Sequence, residues 1–92
     1  MARVGIVTGA ASGIGQALAT ALVERGDTVV LADVNADGAQ QVAAGLGSRA
    51  SAVGLDVRDA DAVTQLVDDV VGEHGWLDLM FNNAGNRRRW GG

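Results

Sequence analysis

Short apolar runs alternate with longer amphipathic stretches along the chain. Arg3 to Thr8 and Thr28 to Ala32 are rich in Val, Ile and Leu on successive positions, as strands covered on both faces should be. Ala50 to Leu55 is a weaker run that suits a strand near a sheet edge, and Leu77 to Phe81 is a further strand with Asp78 inside it. Between them the spacing is helical. Ile14, Leu18, Ala21 and Leu22 share one face of a first helix, which Gly26 terminates after Arg25. Asn35 caps a second helix with Asp37 in its first turn, an inner face of Ala39, Val42, Ala43 and Leu46, and Gly47 at its end. Asp59 caps a third, whose stripe is Val63, Leu66, Val67, Val70 and Val71; its acids, Asp61, Asp68 and Asp69, form a solvated face.

The junction of the first strand and helix is Thr8-Gly9-Ala10-Ala11-Ser12-Gly13-Ile14-Gly15. A strand, a glycine turn and a helix start present free helix N–H groups to a phosphate. Gly9 supplies the angles of a sharp turn, Gly13 lets a diphosphate approach the main chain, and Gly15 lets the helix pack close to its strand. The same glycines also fit a turn with no ligand, and their spacing matches neither G-x-G-x-x-G nor G-x-x-x-x-G-K-[ST]. Asp33 closes the second strand about 20 positions beyond Gly13, where a dinucleotide fold places an acid on the adenosine ribose. A carboxylate there accepts from both ribose hydroxyls and repels a 2′-phosphate, which favours NAD over NADP. No Arg or Lys stands at Ala11, Ser12 or Val34 to receive that phosphate. Taken alone, Asp33 also reads as an ordinary strand-end Asp.

Composition narrows the field. The 92 residues suffice for one small domain; 48% are apolar and 20% charged, a globular balance. Glycine, at 14 residues, is about twice its usual share. A net charge of −4 argues against nucleic acid or an anionic membrane as the main partner. The absence of cysteine excludes disulfides, thiolate metal sites and a cysteine nucleophile. No apolar run is long enough to span a bilayer and no cleavable leader precedes Val4, so a cytoplasmic location is expected. His74 is the only histidine, with no metal or catalytic partners nearby, and suits the end of the third helix as a cation at a helix C-terminus.

With these motifs in order, the chain resembles the N-terminal part of the short-chain dehydrogenase/reductase family. Thr8 to Gly15 matches the family's TGxxxGxG turn, Asp33 its NAD-selecting acid, Asp56-Val57 the pair after the third strand, and Asn82-Asn83-Ala84-Gly85 its NNAG segment. The match runs from about Val4 to Gly85. It implies an α/β Rossmann-type three-layer fold with a parallel sheet in the order 3-2-1-4, the first two helices on one face and the third on the other. Residues 1–85 would form a partial dinucleotide-binding domain, truncated after the fourth strand, and 86–92 an irregular Arg-rich tail. The resemblance further implies that Gly9, Ser12, Gly13, Ile14 and Gly15 form the diphosphate turn, with Ile14 offering its backbone N–H. Asp33 would hold the ribose, Asp56 and Val57 would contact the adenine, and Asn83, Ala84 and Gly85 would line the pocket near the riboses. Thr8 and Asn82 would brace the central strands.

Catalytic members of the family use a Tyr-x-x-x-Lys pair and an upstream Ser, the Tyr hydroxyl acting as general acid or base. This chain has no Tyr, and all seven of its basic residues are Arg. Ser48 and Ser51 precede the NNAG segment and do not match the catalytic Ser. The expectation is therefore a non-catalytic, NAD-binding portion of a longer oxidoreductase, a truncated or frame-shifted product, with no catalytic or metal-binding residues of its own. A nucleotide-binding fragment without chemistry and a Rossmann-like methyltransferase fragment are the alternatives. Leu77 to Phe81 is expected to be a bare sheet edge that recruits other chains, and the sheet face served only by the third helix to be thinly covered.

Overall fold

The computed structural model describes residues 3–82. Strands and helices alternate: β1 (Val4–Thr8), α1 (Gly13–Glu24), β2 (Thr28–Asp33), α2 (Ala36–Leu46), β3 (Ala50–Gly54), α3 (Ala60–His74) and β4 (Leu79–Asn82). All pairings are parallel and the order is β3-β2-β1-β4. This is a Rossmann-type three-layer α/β fold with the expected strand order.

The sheet is closed on both faces, each by one set of alternate strand residues. Val7, Val29 and Leu31 pack under α1 and α2 against Ala19, Leu22, Ala39 and Ala43. Val4, Ile6, Val30 and Ala32 pack under α3 against Leu66 and Val70. The second cluster corrects one expectation. The face beneath α3 is buried, because Leu55, Val57 and Leu77, from the segments after β3 and before β4, extend the cover that α3 alone would give. Cover is thinner at the two outer strands: Met80 in β4 and Trp76 ahead of it are exposed, and no residue of β3 is fully buried.

Helix α1 is turned relative to the expected stripe. Gly15, Ala19 and Leu22 form its buried line, while Ile14 is 74% exposed and Ala21 is exposed. The cause is the close seat of Gly15 against the backbone of Gly9 and Ala10, which fixes the rotation of the helix and sends Ile14 outward. Val71 likewise falls outside the buried line of α3.

Strand β4 starts two residues later than the apolar run suggests, and for a polar reason. The Val4 N–H donates to Asp78 Oδ2 at 2.8 Å, and the Asp78 N–H donates to the Val4 carbonyl at 2.9 Å. Asp78 thus pairs with the first residue of β1 before the regular register begins at Gly5 and Leu79. The other end of the pair is braced by Thr8. Its buried hydroxyl lies 3.0 Å from Asn82 Oδ1 and 3.3 Å from the Phe81 carbonyl.

At the opposite end of the sheet from the glycine turn, Asp27 is held by two arginines. Arg25 Nη2 lies 2.6 Å from one carboxylate oxygen and Arg3 Nε 3.7 Å from the other, and the Asp27 side chain is 5% exposed. The Arg25 guanidinium, foremost, holds the Asp27 carboxyl below its usual range. Arg58 does the same for Asp56, which falls to about 2. Both carboxyls titrate lower in the folded chain than in the unfolded one. Their contribution to stability is therefore complete above the unfolded value, about 4, and is lost as pH falls through the folded values. Far-UV circular dichroism melts should show a Tm unaffected by these groups between pH 7 and about 5, then falling toward pH 2. The buried Asp27 should carry more of that fall than the exposed Asp56, so Asp27→Asn should flatten the acid limb. A Tm that rises on acidification below pH 4 would contradict this assignment.

Candidate functional site

The carboxyl ends of β1, β2 and β3 meet at one rim, where open α/β sheets bind ligands. A cavity of about 280 Å3 lies there, lined by Gly9, Asp33, Val34, Leu55, Asp56, Val57 and Arg58. That volume is just under the about 300–1,000 Å3 of pockets that enclose a whole small ligand, and suits one part of a larger one.

The glycine turn forms one side. Gly9 has a φ of 66°, in the left-handed region that glycine tolerates. Ser12 caps α1: its Oγ accepts from the Gly15 N–H at 3.3 Å and donates to the Gly9 carbonyl at 2.7 Å. The Gln16 N–H goes to the Ser12 carbonyl at 2.8 Å. Of the four N–H groups that open a helix, those of Gly13 and Ile14 have no protein acceptor among the described residues. They are the two that an anion at this helix start would meet. A Cβ on Gly13 would touch nothing within 4 Å, so the protein itself does not require glycine there. A Cβ on Gly15 would overlap the Gly9 carbonyl oxygen, so there glycine is required by packing.

Asp33 ends β2 beside this turn. Its Oδ2 accepts from the Ala11 N–H at 2.9 Å and its Oδ1 from the Asn35 N–H at 2.8 Å. A carboxylate offers about four acceptor positions, so two stay open for ligand hydroxyls. The two bonds also tie the glycine turn to the end of β2 and to the start of α2, where Asn35 Oδ1 caps the Gly38 N–H at 3.0 Å.

Across the cavity, Asp56 follows β3. Its Oδ1 accepts from the Arg58 backbone N–H at 2.9 Å and from Arg58 Nε at 3.0 Å, and its Oδ2 from Arg58 Nη2 at 2.8 Å. The structure thus brings Gly9, Asp33, Asp56 and Val57 to one cavity, with Ser12, Gly13, Ile14 and Gly15 on the adjoining turn. Asn83, Ala84 and Gly85 lie outside the described residues, as does the Arg-rich segment 86–92. Sequence reasoning missed Val34, Leu55 and Arg58 as lining residues. Arg58 alone left a signal, because an Asp two residues ahead of an N–H commonly forms an Asx-turn. Among the described residues there is no cluster that could hold a metal ion, and no helix is long and apolar enough to cross a membrane. His74 closes α3 with Glu73 as its neighbour at 4.0 Å, ahead of the left-handed cap at Gly75.

Comparison with known proteins agrees with this geometry. The short chain dehydrogenase family model matches residues 3–90. A cis-4-hydroxycyclohexanecarboxylate dehydrogenase of Sinomonas cyclohexanicum is 52% identical over 86 residues, covering 90% of this chain and 34% of that protein. Tropinone reductase-like 2 of Erythroxylum coca is 47% identical over 83 residues, covering 90% of this chain and 30% of that protein. Among solved structures, a short-chain dehydrogenase from Streptomyces avermitilis superposes with a TM-score of 0.85 at 39% identity, over 92% of this chain and 31% of that one. The 3-ketoacyl-(acyl-carrier-protein) reductase of Brucella melitensis, solved with NADH, gives 0.79 at 32% identity, over 85% of this chain and 32% of its own. The chain therefore spans about a third of the length of these relatives. On the strength of the family model and these similarities, the chain belongs to the short-chain dehydrogenase family.

Proposed function

We propose that this chain is the NAD-binding N-terminal portion of a short-chain oxidoreductase, a family whose longer members transfer hydride between a nicotinamide dinucleotide and an alcohol or ketone. The observation that carries the reading is the position of the Asp33 carboxylate. It is fixed by two backbone N–H groups at the rim of the cavity, beside a helix start with two open N–H groups. The relatives named as dehydrogenases and the NADH held by the Brucella melitensis reductase support it.

In this reading Gly9, Ser12, Gly13, Ile14 and Gly15 form the diphosphate turn, with the Gly13 and Ile14 N–H groups facing the anion. Asp33 holds the adenosine ribose and disfavours a 2′-phosphate, so NAD is preferred to NADP. Asp56 and Val57 flank the adenine, and Asn83, Ala84 and Gly85 line the pocket near the riboses. Residues 1–85 constitute the binding domain and 86–92 a tail. The protein works in the cytoplasm, and β4, an outer strand among the described residues, is the edge through which copies associate.

Within this chain the residues bind and orient; none supplies the proton transfer, since Tyr and Lys are absent from the sequence. Purified chain should accordingly give no NAD(H)-dependent oxidation of alcohols or reduction of ketones above blank. Turnover that co-purifies with the chain and disappears on Asp33→Ala would overturn that expectation. Thermal-shift assays with NAD, NADP and S-adenosylmethionine test the binding function. A larger shift with NAD than with NADP, and none with S-adenosylmethionine, is expected. A shift with S-adenosylmethionine alone would favour the methyltransferase alternative.

A further inference from the structure

The fork between Arg58 and Asp56 has no evident structural purpose. The Arg58 side chain is 86% exposed and that of Asp56 40%, so water screens the pair and it adds little to stability. The two residues are neighbours in one turn, and the bond joins no distant parts of the chain. Both nevertheless line the cavity. The effect of the fork is on the carboxylate. Arg58 fills three of its approximately four acceptor positions, two on Oδ1 and one on Oδ2, and leaves a single position on Oδ2. A planar guanidinium with two parallel bonds also fixes the plane of the carboxylate, which a flexible ammonium would not do.

Resting on the dinucleotide reading above, we propose that Arg58 is a positioning residue for base selection. Its fork presents Asp56 to the cavity as one oriented acceptor, so that the site takes a purine with a 6-amino donor and rejects one with a 6-oxo acceptor. Asp56, held at about 2, stays ionised and acceptor-only at any working pH. A 6-oxo purine would set its carbonyl against that carboxylate with no proton between them. Without the fork, Asp56 keeps only the backbone N–H of residue 58 on Oδ1, the plane of the carboxylate is no longer fixed, and both positions on Oδ2 become interchangeable with water.

Calorimetric titration of the full chain with NAD and with its hypoxanthine analogue tests this. The unmodified chain should prefer NAD by about tenfold, the worth of one hydrogen bond to a charged group against a mismatched acceptor. Arg58→Ala should leave the neutral-pH melting curve in place and bring the two affinities to within about twofold of each other. Arg58→Lys, which restores charge but not the fork, should not recover the preference. An unchanged ratio in Arg58→Ala, or equal weakening of both dinucleotides, would overturn the role of Arg58 while leaving the dinucleotide reading standing. Failure of the unmodified chain to bind either dinucleotide would overturn that reading and this proposal with it. Selective loss of NADP binding in Arg58→Ala would make Arg58 a phosphate contact instead, and would also overturn it.

Discussion

Gly15→Ala should lower the melting temperature by more than about 10 °C, whereas Gly13→Ala should leave it within about 2 °C. The two glycines stand two residues apart in one helix start, yet they meet different surroundings. A methyl group on Gly15 would overlap the Gly9 carbonyl oxygen and sit 2.8 Å from both the Gly9 carbonyl carbon and Ala10 Cα. These are backbone atoms of a buried turn, and no side chain can swing aside to make room. Helix α1 would have to lift from the sheet, weakening the Ser12 cap and the 3.3 Å bond from the Ala10 N–H to the Ala32 carbonyl. Overpacking typically costs about 1–3 kcal/mol and occasionally more, and a backbone collision belongs at the upper end. For a domain of this size each kcal/mol moves the midpoint by about 4–8 °C, which gives the expected shift. A methyl on Gly13 meets open space and improves helix propensity. That space is where the proposed diphosphate lies, so Gly13→Ala should weaken NAD binding in a chain that melts normally. Circular dichroism melts with parallel NAD titrations would separate the two effects. An unchanged melt for Gly15→Ala would contradict the close seat of α1.

Asp33→Asn should narrow the preference for NAD over NADP by about tenfold or more. A 2′-phosphate within about 5 Å of a carboxylate in a solvated rim suffers a repulsion on the order of 1–2 kcal/mol, and the amide removes it. The structure makes this residue a less simple target than its place in the sequence implies. The carboxylate also accepts from the Ala11 and Asn35 N–H groups, one on each oxygen. An amide has one carbonyl oxygen, so one of these N–H groups would face an NH2 group instead. Absolute affinity for NAD should therefore fall too, and the ratio of affinities, not either value alone, reports the charge. Calorimetry with both dinucleotides on the two chains would measure it. Equal affinities for NAD and NADP in the unmodified chain would remove Asp33 from its proposed role.

The strands, their order and the division of the helices between the two faces were legible because Val, Ile and Leu runs separated by capped helical stretches admit few arrangements once crossovers are right-handed. The closure of the face beneath α3 was not, because Leu55 and Leu77 stand outside any helical stripe. The glycine turn and Asp33 were legible because spacing along a strand–turn–helix unit translates directly into position. What escaped was set by contacts without a hydrophobic signature. The rotation of α1 is dictated by Gly15, a residue that an apolar stripe ignores, so Ile14 was read as buried when it faces outward. The role of Asp78, placed inside the fourth strand by its sequence, was not legible, because its partner, the Val4 N–H, lies 74 positions away. Arg58 carries no motif of its own; its place on the cavity follows from its local bonds to Asp56.

The central claim is that a dinucleotide binds at the rim formed by the glycine turn, Asp33 and the segment after β3. Amide chemical-shift mapping of the 15N-labelled chain during titration with NAD tests it most directly. Saturable shifts should centre on Gly9, Gly13, Ile14, Asp33 and Leu55 to Arg58, with Asp61, Asp68 and Asp69 on the outer face of α3 unchanged. Shifts that do not saturate, or that gather on α3 while sparing Gly9 to Gly15, would contradict it.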